Sequence, residues 1–198
     1  MKTTIGNIAG IQTGLFAKPI AEGEIVYLQA RHFDENAQLI PSLQPDLMAK
    51  GISDKHLLQP GDILFSAKGT RNFAACYEGL PAGQAGKNQA AVASTSFFVI
   101  RLQENFQDKI LPEFLAWLIN HPVSQNFLKG KAIGSSIVSI SKSVLEELEI
   151  SIPDLKTQKT ILKITQLSNS EKKIRQQIET LRGKQIQQQI INAIKQKS

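Results

Sequence analysis

Hydrogen-bonding side chains gather in three short, glycine-containing stretches of this sequence. Lys68, Thr70, Arg71 and Asn72 surround Gly69, just after an apolar run. Lys87, Asn88 and Gln89 follow Gly86. Lys129, Lys131, Ser135 and Ser136 lie around Gly130 and Gly134, in a segment with no acid between Val123 and Leu145. Lys and Arg suit guanine edges or phosphates, and Asn and Gln suit adenine. Glycine lets a backbone come close to a phosphate. The chemistry these residues offer is recognition rather than bond making, and the alternative for each is an ordinary solvated loop.

Residue patterns for catalysis are absent from the sequence. His32, His56 and His121 have no metal-ligand spacing among themselves or with Cys76, the one cysteine, and each is expected to be a surface or packing residue. Gly86-Lys87-Asn88 fails as a phosphate loop, because Pro81 stands where the first Gly is needed and Asn88 where Ser or Thr is needed. Neither a Gly-x-Gly-x-x-Gly turn after a strand nor a Gly-x-Ser-x-Gly elbow occurs. Glu146 and Glu147 suit a solvated helix face. The expectation is a chain without a catalytic centre, metal or cofactor.

Elements must hold those loops in place. Ile25–Ala30 has strand composition, and residues 31–56 are mixed and loop-like. Pro60-Gly61 suits the centre of a type II turn, with Pro fixing φ and Gly supplying φ > 0. Ile63-Leu64-Phe65 then enters a buried strand, and Phe73–Tyr77 returns beside it. Ala90–Arg101 contains the strand Phe97-Phe98-Val99-Ile100. Pro112–Asn120 is a helix with Phe114, Leu115, Trp117 and Leu118 inward, stopped by His121-Pro122 and followed by a turn or two over Val123–Leu128. Ser143 and Glu146 have capping-box spacing, and Glu149–Pro153 is a last strand.

From Leu155 to Lys197 the pattern changes. Ile161, Ile164, Leu167, Ile174, Ile178, Leu181, Ile186, Ile190 and Ile194 recur at helical spacing on one narrow stripe, with Gln, Lys and Arg elsewhere. About 40 residues at 1.5 Å each make a rod of roughly 60 Å. The stripe resembles a coiled-coil seam, flawed by Glu171, Gln185, Gln188 and Gly183, and Ser168-Asn169-Ser170 is a point where the helix could break. Asp154 suits its cap. The stripe needs a cover, either a second chain or the helix's own domain.

Net charge is +6, with hydrophobic residues at 41%. Ten Lys/Arg and two Glu lie from Leu155 onward, giving +8, while thirteen Lys/Arg and fifteen Asp/Glu before it give −2. The rod carries the basicity, so the overall charge says little about a nucleic-acid face on the domain. There is no apolar run of about 18 residues and no signal-like apolar core at the start, so the expected location is cytoplasmic, without a membrane.

In this order the pieces resemble one target-recognition unit of the DNA specificity subunit of type I restriction–modification systems. The matching residues are Ile5-Gly6-x-Ile8-x5-Gly14; Leu58-x-Pro60-Gly61-Asp62-Ile63-Leu64-Phe65; Gly134-Ser135-Ser136 with Ile140-Ser141-Lys142-x2-Leu145; and Ile150-x-Ile152-Pro153-x-Leu155-x2-Gln158-x2-Ile161. The resemblance spans nearly the whole chain. It implies a mixed α/β (α+β) recognition domain over 1–154 and a coiled-coil dimerisation and spacer helix over 155–198. Usual members carry two recognition domains and two helices; this chain has one of each, which implies a half-size subunit. The resemblance further implies double-stranded DNA as ligand and a self-paired antiparallel homodimer through Ile164, Leu167, Ile174, Ile178, Leu181, Ile186, Ile190 and Ile194. Its site would be bipartite and palindromic, and methylation and cleavage would belong to partner methyltransferase and restriction subunits. The competing reading is an assembly scaffold or decoy of the same fold with little sequence-specific DNA binding.

Overall fold

The computed structural model describes residues 1–80, 90–133 and 138–195. The chain divides into two units, Met1–Gln158 and Lys159–Ser198.

The first unit is built on central strands that are apolar at nearly every position. β1 is Lys2–Thr4, α1 Ile5–Ile8, β2 Ala9–Thr13, β3 Val26–Leu28, β4 Ile63–Ser66, β5 Lys68–Gly69, β6 Ala74–Cys76, β7 Ala91–Ala93 and β8 Phe97–Leu102. An antiparallel sheet runs in the order β2-β8-β4-β6. Successive side chains of a strand face opposite ways. Ile63, Phe65, Phe98, Ile100 and Leu102 therefore enter one core, and Leu64, Phe97 and Val99 enter another. Both faces of the sheet are covered, which explains the long apolar runs.

Helices cover the first face. They are α2 (Glu104–Gln107), α3 (Pro112–Asn120), α4 (Pro122–Gly130) and, after β9 (Val138–Ser139), α5 (Lys142–Glu146). Leu115, Ala116, Ile119, Leu128 and Leu145 pack there with Ile5 and Ile8. In α3 the buried residues are Phe114, Leu115, Ala116 and Ile119. Trp117 and Leu118, expected inward, are only half-buried; Trp117 instead stacks on Phe114 and lies near His121. The second face meets the parallel pair β3–β7 and a cluster of Phe33, Phe73 and Phe97 with centroids 5.5–6.1 Å apart.

Two glycines have specific causes. A Cβ on Gly14 would lie 2.1 Å from the Ser94 carbonyl oxygen, so only Gly fits. Gly61 has φ of +96°, as the Pro60-Gly61 turn requires. Behind that turn Asp62, 1% exposed, accepts from the Gln59 amide at 2.8 Å and pairs with Arg101 Nε and Nη2 at 2.7 and 2.6 Å. The open edge of β6 is closed by Asn120, whose amide donates to the Ala74 carbonyl and accepts from the Ala74 N–H.

β10 (Glu149–Ser151) pairs antiparallel with β1. α6 (Leu155–Lys195) then runs 41 residues without a break. Asp154 accepts from the Thr157 N–H at 2.9 Å and hydroxyl at 3.0 Å, which caps the helix and holds its carboxyl below the ordinary range. One expected cap is different: the N-cap of α5 is Ser141, whose hydroxyl accepts from the Val144 N–H, and Ser143 lies inside the helix. The Ser168–Ser170 stretch is helical too.

Candidate nucleic-acid interface

Lys68 and Gly69 are not loop residues. They form β5, which pairs antiparallel with β9, Lys68 opposite Ser139 and Gly69 opposite Val138. On its other side Ser139 exchanges two backbone hydrogen bonds of 3.0 Å with Ile133. Ile140 N–H reaches the Ala67 carbonyl at 2.9 Å. Residues 68–69 are thereby joined to Ile133 and Ser139 on a backbone ladder rooted in the core through Ala67 and Ile140, both 1% exposed, while Lys129 lies in the last turn of α4 and Lys131 just after it. Lys87, Asn88, Gln89, Ser135 and Ser136 lie outside the described residues.

The side chains differ in what they are free to do. Lys68 and Lys129 are exposed, and neither has an ion-pair partner among the described residues. Thr70, two residues after Lys68, is exposed too. Lys131 pairs with Glu147 at 2.6 Å and sits over the Phe127 ring at 4.8 Å. Arg71 donates to the Asp34 carbonyl at 2.6 Å, and its guanidinium covers the Phe73 ring at 4.5 Å. Asn72 donates to the Ser66 carbonyl at 2.9 Å. Arg71 and Asn72 thus have structural work within the domain. Their partners are either 37 residues away or the backbone of the preceding strand, and no local signal announces either.

Three of the residues considered for catalysis, His32, His121 and Cys76, have structural places. His32 Nδ1 accepts from the Gln29 N–H at 3.2 Å, and burial, then Arg31, lowers its pKa. His121 caps α4 through Val123 N–H. Cys76 is half-buried and its thiol is pushed up to about 12, first by burial and then by Glu113, Glu78 and Asp62; a thiol so raised is a poor nucleophile at neutral pH. Among the described residues no group of three or more His, Cys, Asp or Glu is placed to hold a metal ion. No helix among them is long and apolar enough to cross a membrane.

The family profile described as Type I restriction modification DNA specificity domain matches residues 10–180. The chain belongs to this family. Solved structures with the same fold include the type I restriction–modification S subunit from M. genitalium, at 16% identity and TM-score 0.56, covering 86% of this chain and 39% of that one. The HsdS subunit from Thermoanaerobacter tengcongensis is 21% identical with TM-score 0.59, covering 89% and 44%. A third, described in work on complex assembly and conformational transition of the type I R-M system, is 19% identical with TM-score 0.61, again over 89% and 44%. This specificity chain thus spans less than half the length of the solved chains it matches. No curated protein matches it.

On α6 the residues of the stripe, Ile164, Leu167, Ile174, Ile178, Leu181, Ile186, Ile190 and Ile194, are all exposed. Ile161 is half-buried.

Proposed function

We propose that this chain is a non-catalytic DNA-recognition unit of a type I restriction–modification system, acting in the cytoplasm. Residues 1–154 read the DNA, and 155–198 pair with a second copy. The pair presents two recognition domains to a bipartite, palindromic site and directs methyltransferase subunits, and nuclease subunits where present, to it. The observation that carries the reading is the β5–β9 ladder within a domain of this family. It seats Lys68 against the segment that follows α4, whose last turn carries Lys129, and both lysines are exposed. The exposed stripe of α6 supports pairing, since a long apolar seam needs a partner and a twofold contact is the commonest kind.

A second reading, the scaffold or decoy, is favoured by two observations. The domain before Leu155 carries −2 overall, and Arg71, Asn72 and Lys131 already have partners within it.

Selection from a pool of duplexes with a randomised core separates the readings. Recognition predicts enrichment of one split palindrome. Replacing Lys68 and Lys129 together with Ala should then weaken all duplexes alike. It should also flatten the logarithmic salt dependence, by about 0.9 for each phosphate no longer neutralised. No enriched sequence, with binding unaffected by the two substitutions, would favour the scaffold.

A further inference from the structure

Arg71 tethers a second exposed hairpin to the 68–72 segment. The Phe33–Leu39 bridge closes that hairpin, Asp34 N–H reaches the Gln38 carbonyl at 2.9 Å, and Ala37 N–H reaches the Asp34 carbonyl at 3.1 Å. The Asp34 carboxylate accepts from the Asn36 and Gln38 N–H groups, each at 2.8 Å. Ala37 takes the turn with φ of +59°. At its root Phe33 is buried against Phe73 and Phe97. From outside, the Arg71 guanidinium holds the Asp34 carbonyl. The backbone of this tip is fixed at both ends, yet Glu35, Asn36 and Gln38 reach solvent. Their side chains have no hydrogen-bond partner among the described residues.

We propose that the hairpin tip Asp34–Gln38 is a base-contacting element, presenting the Asn36 and Gln38 amides to DNA, and that Arg71 is a positioning residue that holds the tip in place. This rests on the DNA-recognition reading above. An Asn or Gln amide offers a donor and an acceptor side by side, the pattern that matches the N6 and N7 edge of adenine. Free amides on a fixed backbone are suited to such a contact because the backbone has little freedom left to lose on binding. Glu35 bears on the kind of contact. A carboxylate repels phosphate and accepts from cytosine N4, so this tip suits base edges, whereas Lys68 and Lys129 suit the phosphates. One surface thus divides the labour: the ladder side anchors to the backbone of the duplex, and the Arg71-tethered hairpin discriminates.

The test uses the full chain, selected on randomised duplexes, in three forms: unchanged, Asn36→Ala with Gln38→Ala, and Arg71→Met. The double variant should bind the selected duplex about tenfold to a hundredfold more weakly and lose preference at particular positions of the site. Its affinity for unrelated duplex and its salt slope should stay unchanged. Arg71→Met, which keeps a packing side chain over Phe73 but removes the donor, should relax those same positions. If Arg71→Met relaxes different positions while the double variant keeps full preference, Arg71 itself reads a base and the proposal is overturned. Loss of affinity for all duplexes alike in the double variant overturns it too, because the tip would then hold phosphate. If the unchanged chain enriches no sequence, the DNA-recognition reading fails first, and this assignment falls with it.

Discussion

Gln158 has no exposed surface, and its amide is fully engaged. Its Oε1 accepts from the Leu111 N–H at 2.9 Å, and its Nε2 donates to the Lys109 and Pro153 carbonyls at 2.8 and 2.9 Å. One side chain thereby joins the segment that enters α3 to the first turn of α6. Gln158→Leu fills similar space but leaves a buried N–H and two carbonyls without partners, a loss of about 1–3 kcal/mol. Gln158→Glu keeps the acceptor and sets a carboxylate against two carbonyls, so it should cost more. Urea unfolding of the two variants checks the order; equal stability of both with the unchanged chain would show that water takes over these bonds. The residue itself is visible in the sequence, as the Gln of the Ile-Pro-x-Leu-x2-Gln pattern. Its role is not, because two of the groups it satisfies lie 47 and 49 residues away. The same holds for Arg71. Its type suggests base reading, and only the fold reveals the Asp34 carbonyl that occupies it.

The elements divide by how local their causes are. The Pro60-Gly61 turn, the strand after it, the returning strand at Ala74–Cys76 and helix α3 are legible in the sequence, because each depends on neighbouring residues or on a continuous apolar run. Ladder β5–β9 is not, since it pairs two-residue strands some 70 positions apart in sequence. The cap of α5 falls on Ser141 rather than Ser143: the Ser141 hydroxyl accepts from the Val144 N–H, while the Ser143 hydroxyl meets that of Ser141 at 2.9 Å. α6 runs unbroken through Ser168–Ser170. Thr165, Ser170 and Thr180 each donate back to the carbonyl four residues earlier, which keeps their hydroxyls satisfied within the helix, and Glu171 pairs with Arg175 at 2.6 Å. The exposed stripe carries a prediction at this scale. Burying one Ile contributes about 1.5–3 kcal/mol, and a twofold seam counts the residue twice. Ile178→Asp should therefore weaken self-association about a hundredfold or more, seen as a shift towards the single-chain mass in sedimentation at micromolar concentration. A mass unchanged by Ile178→Asp would mean that this stripe is not the seam.

At the scale of the molecule, the charge is divided as sharply as the structure. The recognition domain carries −2 and the helical segment +8. On the proposed reading, a domain that is acidic overall must bind DNA through local groups, here the Lys68 and Lys129 stretches with the hairpin tethered by Arg71. Fold class and family are legible from motifs in order along nearly the whole chain. The DNA sequence that the proposed function calls for is not, because such recognition would depend on exposed side chains set by long-range contacts, for which no residue-to-base code exists. The measurement that bears most directly on the central claim is base-resolution methylation of the source genome with and without this gene. One split, palindromic motif should lose its methylation when the gene is removed. An unchanged methylation pattern, in cells with an active type I methyltransferase, would contradict it.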